Sequence, residues 1–218
     1  MIDVTKLDGV SVLRMTDGEN RLNGPFVSVL ATALDDAADP GGPVVLTGTG
    51  KFFCYGLDLD WLGAAPPDEA RQMFRSLYGV LARLLRFPGA TVAAVNGHAF
   101  GAGAILATAA DYRVQRADRG YFCFPEVDLG LSMSDEFDAV LRAKLPTGSV
   151  LQGLLTGRRY GGEAAQAAGF VDAVATEEAL VDTAVGLLRD LVGKTPATVA
   201  AIKAQQHKVP LAILEAGS

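Results

Sequence analysis

Short β-branched apolar runs alternate with longer segments of helical periodicity along the first 145 residues of the chain. The predicted strands are residues 9–15, 44–47, 91–95 and 112–115, and the predicted helices are residues 25–38 and 68–87. The first helix stops in a breaker cluster at residues 39–42, and Asp68 is the predicted cap of the second. Because parallel strands need crossover connections, this order predicts an α/β fold with parallel βαβ units.

From Asp135 onward the pattern is almost entirely helical. The predicted helices are residues 135–145, 147–155, 161–168, 177–192 and 196–206. Half of the 218 residues are apolar and a fifth are charged, which is typical of one soluble domain. We therefore expect an α/β core that holds the active site, residues 1–145, followed by a helical region, residues 146–218, within one structural domain.

Several classes of protein are disfavoured by composition. The net charge is −6 and the cations form no cluster, so we expect no nucleic-acid partner. The start of the chain has no secretory signal pattern, and the longest apolar stretch, residues 91–110, is interrupted by polar residues and glycine, so we expect no membrane span. Cys54 and Cys123 have no metal-ligand spacing, which predicts reduced thiols, no metal site and a cytoplasmic location.

The first segment that could carry chemistry is F-F-C-Y-G-L-D-L, directly after the strand at residues 44–47. Gly56 permits a tight turn, so the backbone N–H of Leu57 can point into a cleft. The alternative is an ordinary strand-to-helix loop in which Asp58 caps the helix.

The second segment is N-G-H-A-F-G-A-G-A-I, in which small residues follow a strand and open a helix. Free amides at a helix N-terminus suit an oxyanion or a phosphate. Its glycines do not form the dinucleotide fingerprint, since the third one is missing. The alternative is close packing of strand and helix. Two amide-presenting turns together could stabilise developing charge on a thioester carbonyl.

The third segment is F-C-F-P-E-V-D-L-G-L, in which Glu126 has Phe124, Val127 and Leu131 as neighbours. Desolvation disfavours a charged carboxylate, which raises its pKa toward the range useful for proton transfer. Asp128 could share this role. The alternative is a surface carboxylate that follows a proline.

Taken in order, these segments resemble the crotonase superfamily, the enoyl-CoA hydratase/isomerase family, over residues 10–203. The family patterns F-x-x-G-x-D-x, N-G-x-x-x-G-G-G, C-D-x-R-x and P-E-x-x-L-G are matched loosely by residues 53–59, 96–103, 110–113 and 125–130. The resemblance implies an α/β crotonase (ClpP/crotonase-like) spiral of ββα units with a C-terminal helical region. It also implies an oxyanion hole from the N–H groups of Leu57 and Ala102, coenzyme A thioesters as ligands with no further cofactor, and homotrimers or hexamers.

One departure from the family pattern points to a reaction. Hydratases of the family carry a second glutamate where this chain has Ile105. The remaining Glu126 suffices for an isomerase, so the resemblance is closest to the single-glutamate Δ3,Δ2-enoyl-CoA isomerases of fatty acid metabolism. Glu136 is a competing choice of base, by similarity to peroxisomal isomerases. Hydration or another coenzyme A reaction, and a noncatalytic acyl-CoA-binding protein, remain alternatives.

Further residues are candidates for contact with the substrate, and those proposed for the acyl pocket, Trp61, Phe124, Leu131 and Phe137, could equally belong to the core. They are Cys54, Tyr55, Gly56, Asp58, Trp61, Gly101, Ile105, Phe124, Leu131, Phe137 and Lys203. Lys203 corresponds to a lysine that approaches the coenzyme A phosphates in relatives, whereas Asp60 replaces another common family lysine. His207 is expected to be an exposed helix residue.

Overall fold

The computed structural model describes residues 1–39 and 41–217. The strands are β1 Ile2–Leu7, β2 Val10–Met15, β3 Val44–Thr47, β4 Phe52–Cys54, β5 Thr91–Val95, β6 His98–Phe100, β7 Tyr112–Arg116, β8 Phe122–Cys123 and β9 Ala173–Ala175. The helices are α1 Gly24–Ala38, α2 Leu59–Ala64, α3 Pro67–Leu85, α4 Ala102–Ala109, α5 Asp135–Lys144, α6 Thr147–Thr156, α7 Gly162–Ala167, α8 Leu180–Leu188, α9 Pro196–Gln206 and α10 Lys208–Gly217. Short 3-10 helices lie at Glu126–Leu129 and Arg189–Leu191.

The strands form two sheets. The larger has the order β1-β2-β3-β5-β7-β9 and is parallel except for the antiparallel pair β1–β2. That pair is joined by Asp8 and Gly9, both at positive φ, which is the backbone conformation of a two-residue hairpin turn. The smaller sheet is the parallel set β4-β6-β8. The structure thus confirms the parallel α/β class.

The chain repeats one path three times. It runs through a strand of the larger sheet, turns into a strand of the smaller sheet, and enters a helix: β3–β4–α2, β5–β6–α4, and β7–β8 followed by the 3-10 helix Glu126–Leu129. Because β4, β6 and β8 are hydrogen-bonded neighbours, their carboxyl ends lie side by side. Each of the three segments singled out in the sequence contains one of these strands and continues past its carboxyl end.

Apolar helices cover both faces of the larger sheet. A large buried cluster includes side chains of α1, α3, α4 and α5, while α8 packs against β3, β5 and β7 within a smaller one. The apolar stripe of α3 is buried as its periodicity predicts, at Met73, Leu77, Val80, Leu81, Leu84 and Leu85. At the end of the described chain, α10 contacts α3 and α5 and buries Leu211 and Leu214.

The structure corrects several details. Helix α3 begins at Pro67 with Pro66 in the capping position, so Asp68 is not the cap; proline fits the first helical turn because the N–H that it lacks has no intrahelical acceptor there. The predicted helix at residues 177–192 is shorter, since α8 ends at Leu188. His207 is half-buried, with Nδ1 2.9 Å from the carbonyl oxygen of Leu85. Pro40 of the breaker cluster lies outside the described residues.

A buried ion cluster joins the helical region to the core. The Nζ of Lys203, on α9, donates to Asp111 Oδ2 at 2.7 Å and to the carbonyl of Gly89 at 3.3 Å. The same carboxylate oxygen accepts from the backbone N–H of Thr91 at 2.8 Å, and Lys144 Nζ lies 3.9 Å from Asp111 Oδ1. One carboxylate therefore holds two lysines from different helices.

Replacing Lys144 with methionine is expected to stabilise the fold at pH 7 by about 1–3 kcal/mol. Burial lowers the pKa of Lys144 from 10.5 to about 8, with Arg113 and Lys203 adding to the shift and Asp111 opposing it. Below pH 8 the folded state must therefore carry a charge that it disfavours, and stability should rise between pH 8 and pH 10.5 as the folded protein releases this proton. Denaturant unfolding from pH 7 to pH 10 measures both effects. The control is Lys194→Met, because Lys194 is exposed. If Lys144→Met unfolds more easily than this control, the buried charge of Lys144 does not destabilise the fold.

Candidate active site

The three ends of the smaller sheet lead into one cleft of about 390 Å³. Leu57 follows β4, Ala102 follows β6 and Glu126 follows β8, and all three line the cleft. The predicted catalytic residue and the two predicted amide donors are thus together, although they are far apart in sequence. Their spacing is set by the register of three paired strands.

Backbone pairing aims the amide of Leu57 into the cleft. Leu22 donates to the carbonyl of Gly56 at 2.8 Å and accepts from the N–H of Asp58 at 3.1 Å. The C=O of Gly56 and the N–H of Leu57 belong to one trans peptide and point in opposite directions, so the N–H of Leu57 points away from Leu22. Gly56 has φ +96°, and a Cβ there would lie 2.6 Å from the carbonyl oxygen of Phe100. This turn therefore requires glycine.

The amide of Ala102 has no acceptor within its own helix, because Ala102 is the first residue of α4. The first backbone hydrogen bond of α4 is donated by the N–H of Ile105 to the carbonyl of Gly101, at 3.0 Å. The N–H groups of residues 102–104 therefore have no acceptor within the helix. A Cβ at Gly103 would lie 2.2 Å from the carbonyl oxygen of Cys54. The backbone of β4 consequently packs directly on the start of α4, which brings the two amide segments together.

Glu126 lies beside this helix start. Its Oε1 is 3.3 Å from the position that a Cβ at Gly101 would occupy. Its Oε2 is buried and has no hydrogen-bond partner among residues 1–39 and 41–217. Burial raises the pKa of Glu126, opposed by a hydrogen bond from its own backbone. The arrangement offers a poorly solvated carboxylate next to two backbone amide donors, which is suited to removing a proton adjacent to a carbonyl.

The other predicted contact residues divide into two groups. Tyr55, Gly56, Gly101 and Leu131 line the cleft. Of the rest, Asp58 caps α2 by accepting from the N–H of Trp61 at 3.1 Å and also accepts from Asn23.

The remaining predicted contact residues are held in the core or in ion pairs. Cys54 is buried, its thiol donates to the carbonyl of Asn20 at 3.0 Å, and burial raises its pKa to about 12. Phe137 packs edge-on against Tyr78. Trp61 packs beside Gly24, Ile105 and Phe124 have no exposed surface, and Lys203 belongs to the buried ion cluster.

Glu136, the competing choice of base, does not line this cleft. It lies in the first turn of α5. Its side chain contacts Gly217 at the end of α10 and is hydrogen-bonded to the side chain of Tyr78. The geometry therefore favours Glu126 as the residue that faces a ligand.

The cleft also contains residues that were not predicted to contact the substrate. They are Arg21, Leu59, Phe100, Cys123, Pro125, Asp128, Leu129, Gly157 and Arg159. Among them, Asp128 was predicted only as a residue that could share the role of Glu126, and Cys123 only as a reduced thiol. Four cleft residues form a cation–aromatic chain: Arg21 lies 5.1 Å from the ring centre of Tyr55, that ring lies 5.3 Å from Phe100, and Arg159 lies 5.6 Å from Phe100. No local motif marks Arg159, because the fold brings it to the cleft from beyond α6.

Residues 1–39 and 41–217 contain neither a cluster of metal ligands nor a helix that could span a membrane. No group of three or more histidine, cysteine, aspartate or glutamate side chains is placed to hold a metal ion there. No described helix has both the length and the apolar character needed to cross a bilayer.

Comparison with known proteins identifies relatives across almost the whole chain. The family model Enoyl-CoA hydratase/isomerase matches residues 5–212. Enoyl-CoA delta isomerase 2, peroxisomal, of Arabidopsis thaliana is 38% identical over 206 residues, which is 89% of this chain and 86% of the relative. A probable enoyl-CoA hydratase of Mycobacterium tuberculosis H37Rv superposes with a TM-score of 0.91 at 31% identity, over 99% of this chain and 92% of that chain.

Human mitochondrial Δ3-Δ2-enoyl-CoA isomerase superposes with a TM-score of 0.92 at 22% identity, over 99% of this chain and 86% of that chain. At this identity the likeness concerns the fold, and it confirms the crotonase fold predicted from the sequence. With the family model spanning nearly all of its length, the chain belongs to the enoyl-CoA hydratase/isomerase family.

Proposed function

We propose that the protein is a Δ3,Δ2-enoyl-CoA isomerase, which shifts the double bond of a 3-enoyl-CoA to the 2 position. One observation carries the proposal: the buried Oε2 of Glu126 has no hydrogen-bond partner among residues 1–39 and 41–217, and Glu126 lines a cleft that Leu57 and Ala102 also line. Ile105, at the place of the second glutamate of hydratases, is fully buried, so the helix after the glycines supplies no second carboxylate. The relatives named enoyl-CoA delta isomerases support the same reaction.

In the proposed mechanism, the thioester oxygen accepts hydrogen bonds from the N–H groups of Leu57 and Ala102. Glu126 removes a proton from C2, and the electrons pass into a dienolate whose negative charge lies largely on the oxygen. The protonated Glu126 then returns the proton to C4, the bond between C2 and C3 becomes double, and the carboxylate is regenerated. One carboxylate serves both steps, and no other reactant is consumed.

Incubation with trans-3-hexenoyl-CoA, and separately with crotonyl-CoA, tests the proposal. Isomerisation leaves the mass of the first substrate unchanged and creates the absorbance of a conjugated thioester. Hydration would instead add the mass of water to crotonyl-CoA. A protein that binds both thioesters and changes neither would favour the noncatalytic alternative.

A second candidate, hydration, is favoured by one observation. Asp128 lies in the same cleft as Glu126, two residues further along the 3-10 helix, so two carboxylates face the ligand. Activation of water by one and proton delivery by the other would suit a hydratase. If the protein hydrates crotonyl-CoA and Asp128→Asn abolishes this activity, the result would support a hydratase that uses both carboxylates.

The variant Ala102→Pro is expected to lower kcat by about 10²–10³ while leaving the fold intact. Ala102 occupies the first position of α4, where proline is well tolerated, so the substitution removes the N–H and little else. Steady-state kinetics and circular dichroism measure the two effects, and Ala102→Ser, which keeps the N–H, is the matched control. Equal kcat values for the two folded variants would refute a role for this amide.

A further inference from the structure

We infer that Asn23 is a positioning residue, which keeps the backbone N–H of Leu57 directed at the thioester oxygen by joining the caps of two helices. This role rests on the proposed function and adds a residue to it. Asn23 does not line the cleft. It acts through Asp58, the residue that follows Leu57, to which its side chain is hydrogen-bonded.

The side-chain amide of Asn23 serves two helices at once. Its Oδ1 accepts from the N–H of Phe26 at 3.0 Å and thereby caps α1. Its Nδ2 donates to Asp58 Oδ2 at 3.0 Å. The other carboxylate oxygen, Asp58 Oδ1, accepts from the N–H of Trp61 at 3.1 Å and caps α2. One amide and one carboxylate therefore join the N-termini of both helices, and we call the pair Asn23 and Asp58 the cap bridge.

Helix α2 depends on an attachment of this kind. Each of its six residues is at least partly exposed, and Trp61 and Leu62 pack only partly against the core. A helix this short is not stable by itself. Helix α1, by contrast, is anchored in the core by four buried residues, which are Phe26, Val27, Leu30 and Leu34. The cap bridge consequently transmits the fixed position of α1 to the start of α2.

The start of α2 controls the main chain at Leu57. Leu22, the residue before Asn23, donates to the carbonyl of Gly56 at 2.8 Å and accepts from the N–H of Asp58 at 3.1 Å. The cap bridge adds a side-chain bond to these two backbone bonds, so the chain is held on both sides of Leu57. Loss of the side-chain bond frees the start of α2 and lets the N–H of Leu57 turn from its direction.

The cap bridge pairs a neutral donor with an ionised acceptor. The hydrogen bond from Asn23 lowers the pKa of Asp58, with the N–H of Trp61 and the charge of Arg21 adding to the shift and burial opposing it. A carboxylate at position 23 would face a second carboxylate and repel it. Asparagine and aspartate are both good capping residues, so an exchange of the two side chains restores donor and acceptor while keeping both caps.

Misdirection of the Leu57 amide should appear in kcat and not in KM. A donor at the thioester oxygen acts most strongly on the charge that develops in the transition state. A displacement of about 1 Å in a group that positions the reaction can cost about 100-fold in rate. We therefore expect loss of the cap bridge to lower kcat about 10- to 100-fold, with KM changing by less than about threefold.

The experiment measures kcat and KM for trans-3-hexenoyl-CoA, and the urea midpoint, in the full chain and four variants. Asn23→Ser removes the donor and keeps a good capping residue. Asn23→Asp places two carboxylates together, and Asn23→Asp combined with Asp58→Asn exchanges donor and acceptor. Ser134→Ala removes the cap of α5, which accepts from the N–H of Phe137 at 3.4 Å, and is the control for a loss of stability away from the cleft.

Both single variants at Asn23 should lose kcat, and the exchanged double variant should recover most of it. Ser134→Ala should lower the urea midpoint and leave kcat unchanged. Because two single variants are made, the comparison stands if one of them does not fold by circular dichroism. The positioning role is wrong if Asn23→Ser lowers the urea midpoint alone, or if the exchanged variant is as slow as Asn23→Asp.

Failure of the proposed function is a separate outcome. Infrared spectra of bound hexanoyl-CoA, labelled with carbon-13 at the carbonyl, report hydrogen bonds to that oxygen without any turnover. A lower carbonyl frequency in the unaltered protein than in Asn23→Ser, recovered in the exchanged variant, would support the positioning role even if no substrate is isomerised. Equal frequencies in the three proteins would reject it.

Discussion

Glu126→Gln is expected to reduce kcat for 3-enoyl-CoA isomerisation by about 10²–10⁴ with little change in KM. Glutamine fills the same space and can still hydrogen bond, but it cannot accept the C2 proton. The loss should therefore appear in the chemical step and not in substrate binding. Stopped-flow absorbance of the conjugated product measures the step directly, and unchanged circular dichroism would show that the fold is retained.

Two controls make the assignment of the base specific. Glu136→Gln should remain close to the unaltered activity, because Glu136 contacts the end of α10 and not the cleft. The pH dependence is the second control. Only the ionised carboxylate is a base, so kcat/KM should fall as the pH drops through the pKa of Glu126, and burial places that pKa above the ordinary glutamate value. An isomerase that Glu126→Gln leaves intact and Glu136→Gln inactivates would reverse the assignment.

Asp111→Ala is expected to cost about 3–5 kcal/mol of unfolding free energy. The carboxylate is the acceptor for Lys203 at 2.7 Å and for the N–H of Thr91 at 2.8 Å, and Lys144 lies nearby. Its removal leaves two lysines buried without a counter-ion and a backbone donor without a partner. Urea denaturation measures the change, and α9 should detach first because Lys203 ties it to the core.

The exposed pair of Asp35 and Arg83 provides the comparison. Its charges are 57% and 37% exposed, so Asp35→Ala should cost less than about 1 kcal/mol. Restoring much of the stability by combining Asp111→Ala with Lys203→Met would show that the uncompensated lysine is the cause. Similar costs for Asp111→Ala and Asp35→Ala would disprove the buried cluster as a source of stability.

Longer elements were easier to predict from the sequence than short ones. Apolar runs of four or more residues bounded by glycine or proline, such as β3 and β5, were predicted closely. Strands β4, β6 and β8 have only two or three residues, so periodicity cannot reveal them, and their pairing arises from the packed fold. Strand β1 was missed because five of its six residues are exposed and its apolar pattern is weak, although the Asp8-Gly9 turn signal follows it.

For the candidate site, the positions of Leu57, Ala102 and Glu126 in one cleft were predictable, because glycine and proline mark the local turns that present them. The hydrogen-bond and ion-pair partners of individual side chains were not predictable from the sequence. Lys203 is held by Asp111, 92 residues away, and nothing near either residue in the sequence indicates that pair. Arg159 reaches the cleft only because the chain returns there after α6.

The close backbone contact between β4 and the start of α4 has a consequence for how this fold diverges. In the proposed mechanism, the groups that bind the thioester oxygen belong to the main chain, so exchanging most side chains leaves them in place. Only glycine positions such as Gly56 and Gly103 constrain that framework, since a Cβ there would collide with carbonyl oxygens. Substitution of neighbouring side chains, Ile105 among them, is therefore expected to leave the two amides in place.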